Sequence, residues 1–436
     1  MGHSIGDTRF SLPALLKVGP HSEEGGRVTM FELFFDLVFV FSFTQVSRLM
    51  ADGHDALGVL RGMVVLGMLW GLWASFGWLS NQARADRGIV RTGLIFASIL
   101  IFLLAVTIPR AFPDEGASPA LPLILLTGYY LCRLIHAFLY FKAAGDDEGL
   151  RRQVLRTSFA PIPLGAAIFV AGALIGAPWQ TWIWVAAFTI DAVVIYRTSS
   201  GDRTTTSHWQ VHSASYWVER FALIVILGLG ESVVALGVGA VQVDVSPALV
   251  GAITLTLLLA FCLWWAYFER MEPASEQLLE KTRGRERTAI ATDAYTYLHF
   301  PILVGIIIAA LGIEVATSHL SDGAHGIGWF GAIALCAGPS LFLSGTGFFW
   351  RRLAGWWPWT RLGSGVILLA VIPAIAALPA FGALAAVTSL VIALLFAEEL
   401  LDKWWRDRAT PSGTGRDRAT PMTGGTSVSA ESESAG

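Results

Sequence analysis

Apolar runs of about 20 residues, each long enough to cross a bilayer core, recur along the chain between short polar breaks. They place spans near residues 31–50, 57–80, 89–111, 119–142, 154–176 and 179–197. Six more follow near 216–241, 247–269, 289–317, 325–350, 359–379 and 381–402. A polar break rich in Ser, Thr and His, residues 198–215, separates the two sets. The last two spans require a very tight turn at Ala377-Leu-Pro-Ala-Phe-Gly. The pattern predicts an all-α polytopic membrane protein with about twelve transmembrane helices. Its expected parts are a cytoplasmic N-terminal segment (1–30), a first six-helix half (31–197), a cytoplasmic linker (198–215), a second six-helix half (216–402) and a disordered cytoplasmic tail (403–436).

Composition agrees with this class. The 436 residues are 54% hydrophobic and 14% charged, against about 25% charged in soluble domains, and the mean hydropathy is +0.59. A net charge of −3 supplies no basic field for nucleic acid. Cys132, Cys262 and Cys336 lie far apart in apolar runs, without the spacing of a zinc site. Residues 1–30 lack an apolar signal core, so the first span is expected to serve as its own membrane signal. The basic residues are unevenly placed. With twelve spans, one side of the membrane holds both termini and nearly all loop Lys and Arg, and the other holds only Arg48, Arg61 and Arg110. The positive-inside rule then places both termini in the cytoplasm. Trp356, Trp357, Trp359, Trp404 and Trp405 suit interfacial anchors.

The two halves share an order of features. Setting Glu32 on Glu219 also matches Phe34 with Phe221 and Val38 with Val225, and lays Thr44-Gln45 over Glu231-Ser232. Trp73-Ala-Ser-Phe76 in the second span matches Trp265-Ala-Tyr-Phe268 in the eighth. Two parallel six-helix repeats about an axis along the membrane normal are the expectation.

Ionisable residues inside spans are costly in lipid and therefore mark candidate sites. Glu32 and Asp36 share a face of the first span. Glu219 and Arg220 stand at the entrance of the seventh, with Glu231 deeper, just after Gly228 and Gly230. Arg220 and Glu231 are about 16 Å apart along a helix and cannot pair directly. Tyr129, Arg133, His136 and Tyr140 form one polar stripe on the fourth span. Arg133 needs an acid, which Asp36, Asp191 or Glu231 could supply. Asp191 stands alone in the sixth span, and Asp293, His299 and Glu314 lie in the ninth. The substrate- or ion-binding candidates are Glu32, Asp36, Arg133, His136, Asp191, Glu219, Arg220, Glu231 and His299. His208 and His212 have a spacing that can present two imidazoles to one metal, but they fall in a loop and are read as ordinary polar residues. No metal, cofactor or catalytic residue is assigned.

No P-loop, nucleophile elbow or potassium-filter run is present. The chain does resemble a known family, that of the bacterial low-temperature-requirement protein A. The resemblance rests on Glu32-Leu-Phe-Phe-Asp-Leu-Val-Phe-Val-Phe with Thr44-Gln45, on Glu219-Arg-Phe-Ala-Leu-Ile-Val-Ile-Leu-Gly-Leu-Gly-Glu231-Ser, and on Tyr295-x-Tyr-Leu-His299-Phe-Pro-Ile. It implies a multi-pass protein of the bacterial plasma membrane linked to growth in the cold, and no settled biochemical activity. Family members often carry a His three residues before the Glu-Arg pair, where this chain has Tyr216. The leading expectation is a secondary transporter or channel-like permeation protein using intramembrane carboxylates on an ion or small molecule. A membrane-embedded enzyme of lipid or lipid-linked substrates, or a sensor or scaffold using the loop 270–287, is the alternative. The expected partners are the lipid bilayer, a small ion or molecule, and further copies in an oligomer.

Overall fold

The first long helix, α1 (Met30–Ala51), starts at a capping box. Thr29 Oγ1 accepts from Glu32 N (3.3 Å), and the Glu32 carboxylate accepts from Thr29 N (2.8 Å). This satisfies two of the donors that a helix start leaves open. Asp55 caps α2 (Ala56–Gln82) in a similar way, with Gly58 N donating to Oδ1 at 2.7 Å. The structure, a computed structural model, describes residues 26–199, 209–241, 244–320 and 326–409. After α3 (Gly88–Thr107) and α4 (Ala120–Ala143), α5 (Glu148–Val154) leads through a π-helical turn, Leu155–Phe159, into α6 (Pro161–Ile175). Then come α7 (Gln180–Ser199), α8 (Ala214–Ala240), α9 (Pro247–Phe268), α10 (Met271–Lys281) and α11 (Gly284–Ile290). A second π-helical turn, Ala291–Tyr297, joins α11 to α12 (His299–Ser318). The chain continues as α13 (Gly328–Ala354), α14 (Trp359–Ala370), α15 (Ile372–Ala376) and α16 (Ala380–Ala409). Residues up to Leu395 make one compact unit spanning both predicted halves, and the rest of α16 belongs to a second unit.

The all-helical class expected from the apolar runs holds among the described residues. Among the described residues, ten helical stretches are long and apolar enough to cross a membrane. The other two predicted spans are α7, which is one helix of 20 residues carrying Gln180, Thr181, Thr189 and Asp191, and the pair α14–α15, interrupted at Val371. The tight turn expected at residues 377–382 is present. Ile327 N donates to Leu378 O (2.8 Å), and Gly326 bridges Pro379.

Helices within the first half pack in the order α1 on α2 and α3, α4 on α2, α3 and α6, and α7 on α6 and α2. In the second, α8 meets α9 and α12, and α13 meets α9, α12 and α14. Phe381 of α16 reaches Gly251 of α9. The α12–α13 contact is the closest of these. A Cβ on Gly305 would lie 2.5 Å from Phe342 N, and one on Gly338 would lie 2.4 Å from Ala309 N. Only glycine lets two helix backbones approach so nearly.

Two predicted spans, 154–176 and 289–317, contain the π-helical turns, which apolar periodicity does not reveal. Ala160 N bonds Leu155 O (2.9 Å) and Leu298 N bonds Asp293 O (3.1 Å), both five residues back. Each turn lies just before a proline, Pro161 or Pro301, that has no N–H to give to the preceding turn. The loop 270–287 is helical. In α10, Met271, Ser275 and Leu279 are buried at four-residue spacing, and the helix packs against α8.

Candidate functional site

α1 and α8 run side by side in the same direction, and their polar residues meet in three layers. At the N-terminal end, Tyr216 Oη donates to Glu32 Oε1, and Glu219 Oε2 accepts from Val28 N (3.0 Å). One turn on, Arg220 grips Asp36 through two hydrogen bonds, Nη1 to Oδ2 (2.6 Å) and Nη2 to Oδ1 (2.8 Å). Both side chains are fully buried. Trp73 Nε1 also donates to Asp36 Oδ1 (2.9 Å), and the guanidinium lies 5.6 Å from the centre of the Trp73 ring. Phe35, Phe39, Phe76, Trp70 and Phe221 close around this pair. In the third layer, Thr44 Oγ1 donates to Glu231 Oε2 (2.6 Å). Asp36 and Glu231, the two acids without counterparts in the proposed alignment, therefore bind across the α1–α8 seam.

His299 is occupied as well. Its Nε2 pairs with Tyr267 Oη (2.8 Å), its Nδ1 pairs with Ala294 O (3.1 Å), and its ring stacks on Tyr295. His212 Nε2 meets Gln82 Oε1 (3.1 Å), and the His212 backbone N–H donates to Asn81 Oδ1 (3.2 Å). His208 lies outside the described residues.

Arg133, His136 and Asp191 are placed differently. They line a cavity of about 350 Å³, a size suited to a small organic molecule. Of the three acids that could serve Arg133, the fold selects Asp191, with Nη1 to Oδ2 at 2.6 Å. The guanidinium also lies 5.7 Å and 5.8 Å from the ring centres of Tyr129 and Tyr130. The Asp191 carboxylate keeps Oδ1 without a partner, and His136 Nε2 is unpartnered too. Both atoms are buried, so neither bonds bulk water. Unsatisfied polar atoms at such a depth cost about 1–3 kcal/mol each and call for an explanation.

Both π-helical turns contribute to the wall, beside residues of α2 and α7. Thr157 and Ser158 come from the first turn, and Thr292, Thr296 and Tyr297 from the second. Two tryptophans of α2 fasten the second turn. Trp70 Nε1 donates to Thr296 O (2.8 Å) and Trp78 Nε1 to Thr296 Oγ1 (3.2 Å). Trp209 covers another side. Asn81 holds this segment through Nδ2 to Gln210 O (2.7 Å), Thr288 Oγ1 donates to Trp209 O (3.3 Å), and Tyr140 packs edge-on against the indole. The Tyr129–Arg133–His136–Tyr140 stripe of α4 thus faces the cavity and its cover.

Sequence reasoning found the three ionisable wall residues and missed Trp70, Trp78, Trp209 and the hydroxyls of the turns. A Thr-Ser pair or spaced threonines just before a proline inside an apolar span was the available signal. On the far side of Asp191, α6 and α7 enclose a second space of about 310 Å³, with Arg156, Leu164, Gly165 and Ile190 among its lining. Leu164 and Ile190 are exposed. No group of three or more His, Cys, Asp or Glu that could hold a metal occurs among the described residues.

Fold and site together define a multi-pass helical membrane protein with a polar-tipped, aromatic-walled cavity. Residues 27–396 match the bacterial low temperature requirement A protein (LtrA) family, and the chain belongs to it. It is 26% identical over 322 residues to the uncharacterized protein RA0937 of Rhizobium meliloti (strain 1021), covering 72% of this chain and 75% of that one. No solved structure matches.

Proposed function

We propose that the protein is a secondary transporter that carries a small organic molecule through the cavity beside Arg133 and Asp191. The observation that carries this reading is the convergence of two interrupted helices, one from each predicted half, on one pocket with a buried charge pair. Transporter sites are commonly built where broken helices from paired halves meet, because the break frees backbone groups and the pocket can change shape. Ion permeation along the α1–α8 acids has less support. Asp36 is gripped by an arginine and sealed by aromatic rings, and Glu32 is bound by its own cap and by Tyr216.

In this reading α7 and the α14–α15 pair also cross the bilayer, giving twelve crossings in two six-helix halves with both termini cytoplasmic in the bacterial plasma membrane. The parallel packing orders support the repeat. In each half the first helix meets the second and third, and the fourth meets the second, third and fifth. Thr44 and Glu231, aligned by the proposed repeat, touch across the seam. A role in growth at low temperature is the family expectation carried into this proposal.

The test is efflux from proteoliposomes loaded with labelled leucine, butyrate or putrescine, with and without an imposed proton gradient. Exit of at least one solute faster than from protein-free vesicles, and lost in Arg133→Ala, is expected. Rates equal to those of protein-free vesicles for all three would overturn transport. A second reading, an enzyme acting on lipid or a lipid-linked substrate, is favoured by one observation. The α6–α7 space has exposed apolar rims and ends on Asp191, beside the cavity. An altered lipid profile in a deletion strain, with no solute flux, would favour it.

A further inference from the structure

The charge arrangement of the cavity narrows what it can hold. Arg133 and Asp191 are opposite in sign, both about nine-tenths buried, and joined by one 2.6 Å contact. Their charges cancel. The other lining side chains are hydroxyls, indoles, phenyl and phenol rings, a few aliphatic groups such as Leu72 and Ile195, and His136. A ligand with net charge would leave that charge uncompensated among low-dielectric walls, at a cost of several kcal/mol. A wholly apolar ligand would leave Asp191 Oδ1 as it stands, buried and unpartnered.

We infer that the ligand is a small zwitterion with an apolar side chain, of the α-amino-acid type. This rests on the transporter reading and names its substrate class. The ligand carboxylate takes N–H groups of Arg133, which presents five donors and contacts Asp191 through Nη1. The ligand ammonium donates to the Asp191 carboxylate, which has one oxygen bonded to Arg133 and one without a partner. The two dipoles then lie antiparallel and the site stays neutral. Trp70, Trp78, Phe188 and Phe300 receive the side chain. No bond is made or broken.

Three ligands with the same apolar side chain separate the contributions. Leucine has both charges, N-acetyl-leucine lacks the ammonium, and leucine amide lacks the carboxylate. Binding to the purified full chain in detergent is read by tritiated leucine competition and by thermal shift. Leucine is expected to bind at least about tenfold more tightly than either analogue, since each analogue strands one buried charge. Asp191→Asn is expected to reduce leucine binding by about tenfold or more while narrowing its advantage over N-acetyl-leucine. Arg133→Lys keeps the charge if Arg133→Ala does not fold, and is expected to weaken leucine without abolishing it.

Equal binding of leucine and N-acetyl-leucine would overturn the zwitterion assignment. So would butyrate binding with leucine excluded, and in both cases the cavity would still be a solute site. Failure of all these solutes to bind or to leave vesicles would overturn the transporter reading along with it.

Discussion

Among the described residues, two buried Arg–Asp pairs join helices, and they differ in almost every respect except chemistry. Arg220 and Asp36 join α8 to α1 through two parallel hydrogen bonds, with a third from Trp73, at zero exposure. Arg133 and Asp191 join α4 to α7 through one, at a cavity wall, with a carboxylate oxygen left over. In the first pair both carboxylate oxygens are bonded and only Arg220 Nε is left over, so it acts as a lock between helices. An unsaturated pair beside open space keeps hydrogen-bonding capacity that only a ligand or a rearrangement can use. Burial of charge alone therefore does not distinguish a site from a strut. The number of satisfied groups and the neighbouring space do.

The comparison can be broken most directly at the lock. Arg220→Met strands Asp36 among aromatic rings and is expected to destabilise the protein by about 3–5 kcal/mol, read by unfolding in detergent. The double replacement with Asp36→Leu should recover most of that loss, because the pair's desolvation cost disappears with it. A double variant as unstable as the single one would show that the pair does more than neutralise itself.

Arg133→Met comes next, at about 2–3 kcal/mol, because Asp191 borders a cavity through which it can be partly relieved. Its larger effect should fall on solute flux. A stability loss equal to that of Arg220→Met with flux unchanged would make the two pairs equivalent and sink the distinction. Trp73→Phe keeps a ring over Arg220 but removes the N–H bonded to Asp36 together with part of a fully buried indole. It is expected to cost about 2 kcal/mol, with flux retained in the folded fraction.

A third pair, Arg84–Asp86, is the surface control, with side-chain exposures of 38% and 27%. The Arg84 hydrogen bonds hold the Asp86 carboxyl below its usual value of 3.8. The lowered value means that its stabilisation is present above that usual value and fades as pH falls through and below it. Solvent screening keeps it small, so Asp86→Asn should change stability by under about 1 kcal/mol at neutral pH and by less in acid. A larger change would mean that this connection bears on the helices it joins.

Much of this was legible along the chain, and the limits follow from what a one-dimensional pattern contains. The class came from length and apolarity, since a bilayer core fixes how many apolar residues a crossing needs. The polar stripe of α4 was visible because helical periodicity puts Tyr129, Arg133 and His136 on one face. The partner of Arg133 was not visible, because Asp36, Asp191 and Glu231 are equally good acids on paper. Packing of α4 beside the α6–α7 pair, with α2 touching both α4 and α7, gave Asp191 the position. The π-helical turns were hidden because inserting one residue into a helix leaves its apolarity unchanged. Trp209 was hidden for a different reason, since it sits in a polar linker that Asn81 folds back over the cavity.

The sequence by itself determined a multi-pass helical membrane protein of the LtrA family, with acids placed in α1 and α8 and a polar stripe around Arg133 in α4. Those properties reside in residue type and spacing, which the chain carries before it folds. Only the tertiary structure decided which charges cancel in a sealed seam and which stand at a cavity. That choice depends on distances between helices far apart in sequence, and on how many hydrogen bonds each buried group finds there.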